Sequence, residues 1–101
     1  MEFIERNFIL ENMRLDKYLK VARILKRRTV SKELADQQRV YVNGRVAKPS
    51  TEVKVGDEIR VLFGHRELTV RVSMIQKQVN KNDAALMFEV LEEKKIEKEE
   101  E

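Results

Sequence analysis

The sequence predicts an α+β protein, a two-helix corner followed by a small, mainly antiparallel sheet. Three observations predict it. Apolar residues recur at helical spacing through residues 14–37, then alternate with polar ones after Arg39. Asn43-Gly44 flanked by alternating valines is a strong hairpin signal. The chain has 101 residues and is 42% hydrophobic, which suits one domain with one modest core.

Taken in order, "RLDKYLKVARIL" places Leu15, Tyr18, Leu19, Ala22 and Leu25 on one helical face. Asp16 falls in the first turn, where a carboxylate suits the helix dipole. Lys17, Lys20, Arg23 and Arg27 fall largely on the opposite side, so the helix has a basic face. A second helix runs through "VSKELADQQ", with Thr29 as its expected cap and Ser31 as the competing choice. The two helices stand a few residues apart and form a tight corner. Val40 and Val42 then lead into the Asn43-Gly44 hairpin and Val46, and Pro49-Ser50 interrupts the extended chain. Val53 and Val55 approach a Gly56-Asp57 turn, after which "EIRVLF" and "ELTVRVSMI" read as strands. "QKQVNKND" is a polar connection, "ALMFEVL" a last strand with a short helix as its alternative, and the segment from Glu92 a frayed helix or disordered tail.

Charge is concentrated in one segment. Residues 13–62 carry thirteen cations and six anions, whereas residues 1–12 sum to −2, residues 63–91 to +1 and residues 92–101 to −3. A basic patch of this kind suits a polyanion, nucleic acid above all. Catalysis finds little to use. His65, the one histidine, sits beside Gly64 in a turn, and there is no phosphate-cradling glycine loop. No catalytic residue, metal site, cofactor or small-molecule substrate is expected, since one histidine and no cysteine give a transition metal few ligands. Nor is a membrane partner, because no apolar run approaches the roughly 20 residues that span a bilayer.

Cations crowded at the start of a helix are unfavourable without an anion. Lys26, Arg27 and Arg28 stand there, beside backbone N–H groups that bind phosphate readily. With Arg14, Lys17 and Arg23 they are expected to form one surface across the corner, extended by Lys32 and Arg39 and closed on one side by Asn43 and Arg45. Asn43 is expected to shape its own turn rather than read a base. A helix-turn-helix would place Ser31, Lys32, Glu33, Asp36 and Gln37 in a DNA groove. Two of those five are acids, which favours gripping folded RNA by backbone and shape instead.

The block from Met13 to Val61 resembles the S-four (S4) RNA-binding domain, also called the alpha-L motif. The specific pieces are "RLDKYL", the "KRRT" corner, "VYVNG" and "VKVGDEI". With "RELTVRVSMI" and "AALMFEVLEEK" beyond it, the chain is similar to the ribosome quality-control members of the fifteen-kilodalton heat-shock family. Residues 13–62 would then be the domain, 63–91 the strands completing it and 92–101 a charged tail. Residues 1–12 precede the usual start, as an extension or with Met13 as the initiator.

A cytoplasmic monomer is expected, the lack of cysteine fitting a reducing compartment, and the resemblance implies a non-enzymatic protein that binds large ribosomal subunits still carrying peptidyl-tRNA. Contacts with rRNA and tRNA are implied, as is work beside a tailing factor that appends alanines to the stalled chain. A generic ribosome-assembly factor and a protein-interaction adaptor are the alternatives. Carried over position by position, the RNA-contacting residues are Arg14, Asp16, Lys17, Lys26, Arg27, Arg28 and Thr29. Asp16 is expected to orient Arg14 rather than touch phosphate. One departure stands out: the position that closes the second helix is usually Gly and here is Gln38.

Overall fold

The computed structural model describes residues 11–25, 28–77 and 79–95. Strand β1 (Asn12–Arg14) runs directly into helix α1 (Leu15–Val21). β1 pairs antiparallel with β4 (Glu52–Lys54), setting Met13 opposite Val53. Both side chains are buried, so this small ladder closes one side of the core. Arg14 occupies the N-cap of α1 without a side-chain cap. The loop before β4 serves instead: Leu15 N–H donates to the Thr51 carbonyl at 2.7 Å and Asp16 N–H to that of Pro49 at 3.1 Å. Donors that a helix start leaves unsatisfied are thereby bonded within the fold.

The five apolar positions of the first helical pattern, Leu15, Tyr18, Leu19, Ala22 and Leu25, are all buried. α1 stops before Leu25 because the chain reverses at Arg23, which holds φ +61°. Arg23 N–H bonds the Lys20 carbonyl and Ile24 N–H that of Leu19, the paired closure of a Schellman motif. The reversal turns Leu25 back into the core.

Helix α2 (Arg28–Asp36) packs on α1. Thr29 and Ser31, the two expected caps, both lie inside it. Ser31 is fully buried, so its hydroxyl sits in the packing rather than at a helix start. α2 closes by the same motif as α1: Gln38 has φ +62°, its N–H bonds the Ala35 carbonyl, and Arg39 N–H bonds that of Leu34. A residue with a side chain thus takes the left-handed conformation that favours glycine.

The larger sheet comprises β2 (Val40–Val42), β3 (Arg45–Val46), β5 (Glu58–Phe63), β6 (Arg66–Val72) and β7 (Phe88–Lys95). Its order is β3-β2-β5-β6-β7, antiparallel throughout. Asn43 (φ +53°) and Gly44 (φ +84°) form the two-residue turn between β2 and β3, as their sequence predicts. Alternate residues Val40, Ile59, Val61, Val70 and Val72 pack with the α1 face, Ile75 and Met87. Burying such side chains stabilises the fold by roughly 1.5–3 kcal/mol each.

The end of the chain departs from expectation. Ala84–Met87 is a single 3-10 turn, and the strand begins only at Phe88. Residues 92–95, expected as the start of a frayed helix or disordered tail, continue β7 along β6. A bulge lets β7 stay paired: Thr69 faces Glu92 and Val70 faces Val90, leaving Leu91 as the extra residue. Cross-strand ion pairs reinforce this edge, Arg66 with Glu93 and Arg71 with Glu89. Among the described residues, no helix is long and apolar enough to cross a membrane.

Candidate nucleic-acid interface

The candidate interface is centred on Arg14. Its Nε donates to Asp16 Oδ1 at 3.1 Å and its Nη2 to Oδ2 at 3.0 Å, a two-pronged fork. The Asp16 side chain is 2% exposed while that of Arg14 is 48% exposed. A buried anion therefore orients a guanidinium that water, or a phosphate, can reach. Only two of the five guanidinium N–H groups serve this pair, and the others are available to an outside acceptor. The expected role of Asp16 as an orienting group matches this geometry.

Arg14 lines a groove of about 470 Å³ between α2 and the loop after β3. Lys32 and Lys48 contribute further charge, and Gln38, Ala47 and Pro49 shape the wall. Lys32 also reaches Asp36 one helical turn on, at 3.9 Å, a separation that leaves it little bound in water.

A second, larger cleft of about 780 Å³ lies on α1. Lys17, Lys20 and Arg23 line one part of it, with Lys77 and Lys81 from the segment before the 3-10 turn. The single surface expected across the corner is therefore divided among its described members. Arg14 and Lys32 share one groove, Lys17 and Arg23 the other cleft. Lys26 and Arg27 lie outside the described residues, and Arg28 and Thr29 open α2. Arg39 and Arg45 are exposed and line neither cleft.

Asn43 is committed to the fold. Its Nδ2 donates to Asp57 Oδ1 at 3.1 Å, and its Oδ1 accepts the Glu58 N–H at 3.0 Å. Asp57 in turn accepts the Lys54 N–H at 2.8 Å through Oδ2. The "VNG" and "VGDE" pieces are thus two turns tied together by side chains. Lys48, Lys77 and Lys81 were missed at the sequence level. Lys48 stands beside a proline turn and the other two in a polar connection, so no helical face marked them.

Comparison with known proteins identifies the family. Residues 13–59 match the family model for the S4 domain. The chain is 52% identical to the RQC P-site tRNA stabilizing factor of Streptococcus pneumoniae over 84% of its own length and 97% of that protein's. It is 50% identical to the Bacillus subtilis protein of the same name, over 83% and 98%. Among solved structures, the trimeric heat shock protein 15 of Vibrio cholerae superposes with a TM-score of 0.73 at 33% identity, covering 79% of this chain and 82% of that one. The α+β fold is accordingly the S4 fold, and the chain belongs to the S4-domain family of RQC P-site tRNA stabilizing factors, to which heat shock protein 15 is related.

Proposed function

We propose that the protein is an RNA-binding factor of ribosome-associated quality control in the cytoplasm. It binds large ribosomal subunits that retain peptidyl-tRNA, contacts both rRNA and tRNA, and holds the tRNA in place while a tailing factor adds alanines. It does so as a monomer and by electrostatic positioning, with no chemical step. The observation that carries this reading is the Arg14–Asp16 fork at the mouth of a basic groove. Arginine forks match phosphate geometry, and a buried carboxylate fixes this one in advance. The names of the relatives supply the ribosomal setting. Within the corner, Lys26, Arg27, Arg28 and Thr29 add phosphate contacts by the family pattern.

Co-sedimentation tests the proposal with three particles: large subunits carrying peptidyl-tRNA, empty large subunits and intact ribosomes. Wild type should prefer the first. Arg28→Ala and Arg14→Lys should lose that preference, the latter because lysine keeps the charge but not the fork. Neutralising about five phosphates gives log K against log salt a slope near −3 to −4. Equal binding to all three particles would point to ribosome assembly, and a flat salt dependence to a protein-interaction adaptor.

A further inference from the structure

We infer that the cleft between α1 and Lys77, Val79 and Lys81 is a second phosphate site for RNA, with Lys77 and Lys81 gripping the backbone from outside the S4 segment. The inference rests on the RNA-binding reading above and extends its footprint. The matched domain ends at residue 59, so neither lysine belongs to it.

Three observations carry the argument. First, five cations line the cleft and, among the described residues, no carboxylate does. On β5, β6 and β7, by contrast, four of the five cations are ion-paired. Arg60 faces Glu67, Arg66 faces Glu93, Arg71 lies between Glu58 and Glu89, and Lys94 reaches Glu92. Among the described residues, none of the five in the cleft has an ion-pair partner. Like charges gathered in a concavity repel each other, and an anionic occupant relieves that repulsion.

Second, the cations are held side by side on one element. Lys17 and Lys20 stand three residues apart on α1, where such positions are neighbours on the helix surface, and Arg23 follows at the reversal that closes the helix. Closely spaced cations suit the repeating charges of a polyanion. Third, Val21, Leu25 and Val79 give the cleft an apolar strip beneath its charges. Ribose and base faces can lie on such a strip while phosphates meet the cations. Free phosphate would have no use for it.

The test compares two doubly neutralised proteins on large subunits carrying peptidyl-tRNA, across a salt series. Lys77→Gln with Lys81→Gln removes two charges from the cleft. Lys54→Gln with Lys95→Gln removes two exposed charges that line neither cleft. The cleft variant should bind about tenfold more weakly, with a salt slope shallower by about 1.5 to 2. The control should stay within about twofold of wild type by the same reasoning, and both should melt with wild type because the altered side chains are exposed. A photocrosslinker at position 77 should label RNA. Equal weakening of both variants would reduce the effect to net charge and overturn the site. So would crosslinks to protein alone, or an unaffected cleft variant alongside a weakened Arg14→Lys. If wild type itself fails to bind, the RNA-binding reading falls first.

Discussion

At the scale of single residues, the Arg14–Asp16 fork joins stability to recognition. Asp16 is almost fully buried, and a buried carboxylate is costly unless it is charge-paired and hydrogen-bonded. Its position in the first turn of α1 adds a favourable dipole interaction. Asp16→Asn separates the two functions. Asparagine offers one acceptor and one donor where aspartate offers two acceptors, so one prong of the fork would meet a donor and open. The variant should change stability by about 1 kcal/mol, because relief of the buried charge offsets part of the lost pairing. Binding to the tRNA-bearing subunit should weaken severalfold, as measured by sedimentation alongside a thermal melt. Unchanged binding would make Asp16 a purely structural residue.

At the scale of elements, both helices end on side-chain-bearing residues in the left-handed region, Arg23 and Gln38. Each supplies the reversed N–H that closes its helix, so the geometry is required even where glycine is missing. Gln38→Gly should therefore raise stability by about 1 kcal/mol and the melting temperature by several degrees. Gln38→Val should lower both, since a branched Cβ fits that region poorly. A melt that fails to rise with glycine would show that the Gln38 side chain makes compensating contacts in the groove. The elements were largely legible because their signals are local. Helical spacing marked the buried face of α1, and Asn43-Gly44 marked its turn. Legibility failed where tertiary pairing decided the outcome. Glu92–Lys95 look like a solvated tail in isolation, yet β6 offers a ladder and Arg66 a partner for Glu93. The start of α2 was also misplaced: the helix opens at Arg28, so Thr29, the expected cap, and Ser31, its alternative, both fall inside it.

At the scale of the whole molecule, the cations of β5, β6 and β7 are mostly ion-paired, while Lys17, Lys20, Arg23, Lys77 and Lys81 converge on one cleft with no ion-pair partner among the described residues. Composition exposed the basic segment but not its division into two clefts, because that depends on where a distant connection folds back. Tyr18 helps to fix that return: its hydroxyl donates to the Met87 carbonyl at 2.6 Å, tying α1 to the turn before β7. The same carbonyl accepts from Ser73 N–H at 2.8 Å and Met74 N–H at 3.2 Å, so Tyr18→Phe does not orphan it. The variant should lose only about 1 kcal/mol at neutral pH. Its pH dependence is the sharper test. Burial pushes the Tyr18 phenol above the ordinary tyrosine value, so the folded protein keeps a proton that the unfolded chain releases above about pH 10. Wild-type stability should then fall, relative to the variant, by about 1.4 kcal/mol per pH unit beyond that point. Urea melts at about pH 7, 9 and 10.5 should therefore show a constant advantage for wild type at the first two and a shrinking one at the third. An advantage that persists unchanged at the highest pH would mean that the phenol ionises as readily in the folded protein as in the unfolded one, and that it is not sealed against the turn before β7 as the structure has it.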